Sequence, residues 1–428
     1  MNFVQCNLGA GVRLHLCETD KFKSLTCKMF IQQDLNEEHA TSTALIPLVL
    51  QRGSRQFPSV AQIARELEYL YAASLGMDVL KLGERQILEF HFQMVDPSLL
   101  PDSEEHLERG LRTFWGIAAD PAVENGRFNE TFFSQEKANL RRELEGILNN
   151  KHAYAMTRFV QLMCAGEPFA IHKYGDLQSL AKLENEGVYR HYQSLIRSYP
   201  LDIFLVGTNL DVIANLLAQL ISEREQVVDL SLPKGVDVAK PRYFCEGTDV
   251  QQSILVLGYR TNRTYLDDGY YPLLVANGIL GEFPHSKLFV NVREKASLAY
   301  YVGSNVEGSK GLLTISAGID WREREQALAI IKQQVEQLRQ GDFSQAELEQ
   351  TKVGMINSMI SMADNPSSLI VRNLMGVVHG DLRSIDTVVE QIRAVEQRDV
   401  VEAAEQLVLD TTYILGPQGE VGGTNGTN

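Results

Sequence analysis

Runs of apolar residues follow one another along this chain in an order that is used twice. Residues 25–31, Leu-Thr-Cys-Lys-Met-Phe-Ile, form an apolar-rich run of strand length. Helical spacing follows over 41–51 and stops at Arg52-Gly53-Ser54, and a second helical stretch covers about 60–73. Two further strands are predicted at 74–80 and 87–95, split by the turn-like Lys81-Leu82-Gly83-Glu84. The second half repeats this succession. It has a strand at 254–259, a helix at 270–280 closed by Gly281, a helix at 286–295, and strands at 299–306 and 312–319 around Gly308-Ser309-Lys310-Gly311. Gly53 and Gly281 lie 228 residues apart (281 − 53), and the other matching pairs keep nearly the same offset, the signature of an internal duplication.

The later elements match as well. Phe128-Asn129-Glu130-Thr131 leads into a long helix through Leu140 and Leu144, and Phe343-Ser344-Gln345-Ala346 into one through Val353, Ile356 and Ile360. Ser344 and the Thr131 region are the expected N-caps, with acidic residues following that suit the helix dipole. Each half ends in a strand closed by glycine, 201–207 and 411–416. The expected fold is therefore α+β: two homologous domains, each a mostly antiparallel sheet packed against helices. The expected boundaries are 1–222 for the first domain, 223–242 for a linker carrying Glu223, Glu225, Asp229, Pro233, Lys234 and Pro241, 243–417 for the second domain, and 418–428 for a glycine-rich flexible tail.

Composition narrows the function classes. The net charge of −15 argues against nucleic acid, which needs clustered Lys and Arg. An acidic interior that attracts basic peptides is compatible with it, as is an acidic surface that serves solubility. Met1-Asn2-Phe3-Val4-Gln5-Cys6 has no basic region followed by an apolar one, so no signal peptide is expected, and no apolar run reaches bilayer length. The five cysteines, Cys6, Cys17, Cys27, Cys164 and Cys245, include no Cys-x-x-Cys pair. They read as free thiols of a reducing compartment, and the expected location is cytoplasmic.

One stretch carries a resemblance. Val292-Arg293-Glu294-Lys295-Ala296-Ser297-Leu298-Ala299-Tyr300-Tyr301-Val302 resembles the Leu-Arg-x-x-x-x-Leu-(Gly/Ala)-Tyr-x-Val signature in the C-terminal half of insulinase/pitrilysin-type zinc peptidases, the family that includes the mitochondrial processing peptidases. Gly281-Glu282-Phe283-Pro284-His285-Ser286-Lys287-Leu288-Phe289 resembles the Leu-Gly-Gly-x-x-Ser-x-Leu-Phe turn of the same family, with Glu282 in place of one glycine and His285 without a dyad partner. The tandem strand–helix–helix–strand–strand order is similar too. The resemblance implies that Arg293, a planar fork of donors, and Tyr300, a hydroxyl donor, contact a peptide substrate. On the residues alone, the tyrosine is equally ordinary sheet material and the arginine an ordinary helix-end cap.

The same resemblance exposes a loss. Family members bind zinc through an inverted His-x-x-Glu-His motif just before a Lys/Arg-Gly-Ser/Thr turn. Here that turn is Arg52-Gly53-Ser54, and counting back puts Ala44 and Leu48 at the histidines and Pro47 at the general base. None of the three side chains has a lone pair to offer. Glu143, in Leu140-Arg141-Arg142-Glu143-Leu144-Glu145, stands where a third ligand would be sought. The nine histidines, at 15, 39, 91, 106, 152, 172, 191, 285 and 379, include no two spaced three or four apart on one helical face. Active relatives also carry an Asn-containing edge strand that pairs with the substrate backbone; the aligned stretch is Leu75-Gly76-Met77-Asp78-Val79, with Gly76 for Asn. Strand addition through main-chain groups tolerates that change.

What the resemblance implies is a chain that is no enzyme on its own, with no catalytic or metal-binding residue and no cofactor. It would be the non-catalytic subunit of a heterodimeric peptidase, with Arg293 and Tyr300 as substrate-binding residues, and zinc would sit in a homologous partner. The alternative is a non-enzymatic structural or peptide-binding scaffold, as a homodimer. An active peptidase with an unorthodox site fits the scattered histidines least. The stretches 19–23, 44–53 and 70–73 particularly resemble bacterial metal-free members linked by name to elongation factor P modification.

Overall fold

The structure, a computed structural model, describes residues 2–221, 224, 227–231, 236, 238 and 240–421. Part of the expected linker at 223–242 and residues 422–428 of the expected tail lie outside the described residues. The chain divides into two compact units. Unit 1 holds Met1–Gly146, Ile171–Leu232 and Ala363–Met375, and unit 2 holds Ile147–Ala170, Pro233–Met362 and Gly376–Asn428.

The first repeat runs β1 (Val4–Gly9), β2 (Val12–Glu18), β3 (Ser24–Asp34), α1 (Ala40–Leu50), α2 (Val60–Tyr69), β4 (Ser74–Leu82), β5 (Arg85–Val95) and α3 (Ser103–Ala119). It continues through a two-residue hairpin, β6 (Val123–Glu124) and β7 (Arg127–Phe128), to α4 (Glu130–Ile147), α5 (Lys151–Met163), α6 (Leu177–Lys182), α7 (Asn185–Ser198), β8 (Leu201–Gly207) and α8 (Leu210–Leu220). The six-stranded sheet has the order β1-β2-β8-β3-β5-β4, antiparallel except for β2 beside β8. Strand alternation sorts its faces. Cys27, Met29 and Ile31 line up with Phe92, Phe90 and Leu88 on one side and Leu205, Ile203 and Leu201 on the other, and all nine are buried. The opposite face pairs Lys28 with Glu89 at 2.6 Å. On it Asp202 gathers Arg13 at 2.7 and 2.8 Å, His15 at 2.9 Å and Gln32 at 2.7 Å.

The second repeat runs β9 (Arg242–Thr248), β10 (Ser253–Arg260), α9 (Tyr270–Asn277), β11 (Ala299–Glu307), β12 (Leu312–Ile319), α10 (Arg324–Arg339), α11 (Gln345–Met362), α12 (Pro366–His379), α13 (Ile385–Ala394), α14 (Gln397–Glu405) and β13 (Val408–Pro417). Its sheet order, β11-β12-β10-β13-β9, is that of the first sheet without β1, and again only one neighbouring pair, β13 and β9, is parallel. The duplication seen in the apolar pattern is thus a duplication of topology. Caps differ in detail. Ser344 forms a reciprocal capping pair with Glu347 at the start of α11, whereas α4 is capped by Asn129, whose side chain accepts from the Phe132 N–H at 3.2 Å.

The two repeats trade a helix. Helix α5 follows α4 as α12 follows α11, yet α5 belongs to unit 2 and residues 363–375, most of α12, belong to unit 1. Within unit 2, Ala155, Phe159 and Met163 of α5 are buried with Ile254, Val256, Tyr413 and Leu415 of the sheet. A Cβ at Gly258 would collide with Phe159 and Met163, so glycine there is what lets the helix sit this close. Just past α5, Glu167 receives Arg260 at 2.6 and 3.0 Å and Lys310 at 2.7 Å. Arg260 also donates to Asp410 at 2.9 Å, and Arg242 bonds Asp410 at 2.5 Å. Burial alone would raise the Glu167 carboxyl, but the hydrogen bonds from Arg260 and Lys310 hold it below the usual range. Burial drives the neighbouring Cys164 thiol up to about 12, which keeps it inert.

Candidate functional site

Helix α1 forms the place where the sequence comparison seeks a metal. Ten of its eleven residues are buried, and Leu48 is the exception. The Ala44 methyl, the Pro47 ring and the Leu48 side chain occupy the three positions. Pro47 lies inside the helix and also removes a backbone N–H. The polar groups nearby are committed to one another. Thr43 Oγ1 receives Gln33 Nε2 at 2.6 Å and bonds His191 Nε2 at 2.9 Å. The His191 ring stacks on His39 with centroids 4.3 Å apart, and burial pushes His191 down to about 3, so the ring is neutral. Glu136 of α4 is paired with Arg52 and takes both its remaining bonds from Asn139 at 3.0 Å. Glu143 is exposed on the same helix. Among the described residues no group of three His, Cys, Asp or Glu side chains could hold a metal ion. A zinc does not fit here: the aligned positions carry hydrocarbon, and the acid beside the Arg52 turn is neutralised by Arg52.

The pairs His39–His191 and Arg52–Glu136 join residues 152 (191 − 39) and 84 (136 − 52) positions apart, and nothing in the local sequence marks them. Gly76, expected at the Asn position of the edge strand, lies in β4 at the end of the sheet order. A Cβ there would meet nothing within 4 Å, so packing does not impose the glycine.

In unit 2 the predicted Arg–Tyr pair lies across two departures from regular backbone. Residues Phe289–Lys295 form a π-helical turn, and Arg293 is exposed on it with its guanidinium 4.8 Å from the centre of the Phe289 ring. The chain leaves through Ser297 in the left-handed region (φ 54°), while the Leu298 N–H returns to the Val292 carbonyl at 3.0 Å and both of those side chains are buried. It then enters β11, an edge strand, through a β-bulge. Ala299 pairs with Ile319 and Tyr301 with Gly318, so Tyr300 has no partner in the ladder. Tyr300 is 72% exposed, whereas Tyr301 turns inward against His152 with ring centroids 5.5 Å apart. Neither the Arg293 nor the Tyr300 side chain makes a hydrogen bond to any described residue. His285 stacks on Phe283 and bonds the Thr351 hydroxyl at 3.0 Å, a structural contact with no carboxylate in it. Glu282 accepts from Asn277 at 3.0 Å, and burial raises its carboxyl.

No helix of the described residues is long and apolar enough to cross a membrane. A family model described as the peptidase M16 inactive domain matches residues 182–355. A Bacillus subtilis protein named "Probable inactive metalloprotease YmfF" is 34% identical over 410 residues, which covers 95% of this chain and 96% of that protein. Among solved structures, a conserved protein from Enterococcus faecalis V583 superposes with a TM-score of 0.91 at 29% identity, covering 99% of this chain and 100% of that one. A peptidase M16 inactive domain from Pseudomonas fluorescens superposes at 0.81 with 16% identity, covering 97% and 98%, which is a likeness of fold.

Proposed function

The chain belongs to the peptidase M16 family as an inactive member, and we propose that it serves as the non-catalytic subunit of a two-chain peptidase. In this reading a homologous partner supplies zinc and the general base, and this chain supplies Arg293 and Tyr300 to grip the peptide. One observation carries the proposal: the Arg–Tyr pair is displayed rather than used. Arg293 lies in a π-turn and Tyr300 at a β-bulge, and both side chains are exposed. Irregularities of both kinds are over-represented at working sites. A tyrosine or arginine kept only for stability would be expected to bury its stem and satisfy its donors. Tyr300 does neither, and Arg293 rests on the Phe289 ring with its donors unbonded to any described residue.

The chemistry assigned is binding. The guanidinium suits a peptide carbonyl or C-terminal carboxylate, and the Tyr300 hydroxyl suits a carbonyl oxygen that gains charge during cleavage elsewhere. The test is reconstitution. The chain is mixed with a homologue that retains His-x-x-Glu-His, and cleavage of a quenched-fluorescence peptide is followed for the wild type, Arg293→Ala and Tyr300→Phe. Activity that requires both chains and falls in both variants supports the reading. Kinetics unchanged by either substitution would sink the grip, and failure of the two chains to associate would sink the two-chain arrangement.

A further inference from the structure

An edge strand presents a row of main-chain donors and acceptors to which any extended peptide can add. One edge strand of the sheet in unit 1 is β4, and three of the four outward main-chain groups of its Met77 and Val79 are already taken. The Met77 carbonyl accepts from Gln51 Nε2 at 3.0 Å. The Val79 carbonyl accepts from Lys173 Nζ at 3.2 Å, and the Val79 N–H donates to the Asp78 carboxylate at 2.8 Å. Alternate residues of an antiparallel strand turn both their N–H and C=O to the same side. Met77 and Val79 therefore face away from β5 together, and at Val79 both groups are bonded.

Lys173 belongs to a segment, residues 171–176, that is fastened at several points to α1, β4 and the β5 side of the sheet. Lys81 Nζ donates to the Ile171 carbonyl at 3.0 Å, and Gln86 Nε2 donates to the Lys173 carbonyl at 2.6 Å. The Tyr174 hydroxyl reaches Asp78 Oδ1 at 3.3 Å, Lys173 Nζ lies 3.5 Å from the other carboxylate oxygen, and the Asp176 N–H donates to Thr41 Oγ1 at 3.2 Å. The turn into α6 is closed by Gly175 in the left-handed region (φ 68°), where a Cβ would strike Thr41. Lys173 also lies 4.4 Å from the Tyr174 ring centre, which stiffens the lysine that caps Val79.

We propose that residues 171–176, together with Gln51, form an internal strap that closes β4 to strand addition, so that unit 1 takes up no peptide on this edge while the strap is in place. The strap and an added peptide would compete for the same main-chain groups of Met77 and Val79. This inference needs no partner chain and stands or falls apart from the two-chain reading.

The experiment uses the full chain and a decapeptide of alternating valine and lysine that carries a benzophenone group. After irradiation, label on residues 74–82 is mapped by proteolysis and mass spectrometry. The wild type is expected to take no saturable label there. Gln51→Met/Lys173→Met, which removes both donors and keeps the hydrocarbon stems, is expected to raise label on 74–82 by about tenfold or more, the scale set by freeing two hydrogen-bonded acceptors. Its melting curve is recorded beside the wild type's, and Lys173→Met alone serves if the double variant melts early. Two outcomes overturn the proposal: saturable label on 74–82 of the wild type, or a folded variant that takes no more label than the wild type.

Discussion

Replacing Glu167 with Gln tests how unit 2 holds the helix it receives from the first repeat. The change keeps the side chain's shape and removes its charge, so Arg260 and Lys310 each lose a buried carboxylate at 2.6 and 2.7 Å. The side chains of Arg260, Glu167 and Asp410 are 6%, 12% and 2% exposed, so solvent screening does little to soften the loss. Breaking a buried pair from one side costs about 3–5 kcal/mol, against a total stability of roughly 5–15 kcal/mol. For a unit of about 200 residues, each kcal/mol moves Tm by about 2–4 °C, so a fall of roughly 6–20 °C is expected. Calorimetry of the full chain measures it, and hydrogen exchange locates it: amides of Lys151–Met163 are expected to lose protection first. A second variant, Glu167→Met with Arg260→Met, removes both charges and is expected to recover part of the loss. A fall of less than about 2 °C in Glu167→Gln, equivalent to under 1 kcal/mol, would refute the idea that this cluster anchors α5.

Arg293→Ala and Tyr300→Phe are expected to leave stability within about 0.5 kcal/mol of wild type, because both side chains are exposed and unbonded, while the reconstituted peptidase loses about 10²-fold in kcat. Melting curves and steady-state kinetics together decide it, and a large drop in Tm would make the pair structural. Acid should loosen the fold between pH 6.5 and about 3. His191 is held neutral by burial, so the unfolded chain binds the extra proton, and the stability is complete above 6.5 and lost as pH falls. That amounts to about 1.4 kcal/mol per pH unit from this residue, read as urea midpoints at pH 7 and 5, and His191→Gln should flatten the slope. The purified chain is expected to contain far less than one zinc per molecule by elemental analysis, with a melting curve unmoved by chelator. Stoichiometric metal with chelator-sensitive hydrolysis would contradict the hydrocarbon lining of α1.

The strands of both sheets and the long helices were legible because their apolar runs are local: 254–259 and 312–319 fall inside β10 and β12, whereas the helix expected to close at Gly281 ends at Asn277 and passes into a π-helical turn, Gly278–Glu282, that contains Gly281. The duplicated topology followed from their order. Facing was less legible. Val353 and Ile360 mark α11 by their spacing, but they are 56% and 53% exposed, and Leu348, Thr351, Lys352 and Met355 turn inward instead. A helix's buried side is set by what packs on it, and propensity carries none of that. The motif showed which arginine and tyrosine to watch, but not the bulge that frees Tyr300, since one extra residue in a strand leaves the alternation of its neighbours nearly intact. The capping of β4 by Gln51 and Lys173 was invisible for a plainer reason. A long polar side chain on a surface segment has the same letter whether it meets water or a backbone carbonyl 3.0 or 3.2 Å away.

The traded helices make the two repeats hostages of one another. A cut anywhere between β8 and β9 would yield two fragments, neither of which contains all of its own unit: the first lacks residues 363–375 and the second lacks 147–170. Nicked chain should therefore travel as one species, and each fragment made alone should be short of a helix for its sheet and burdened with one meant for the other. Once such a swap is established, the repeats cannot drift independently. A residue such as Gly258 answers to a helix encoded about a hundred positions upstream in the other copy of the duplication (258 − 159 = 99), so the ancestral half can no longer be recovered by dividing the gene.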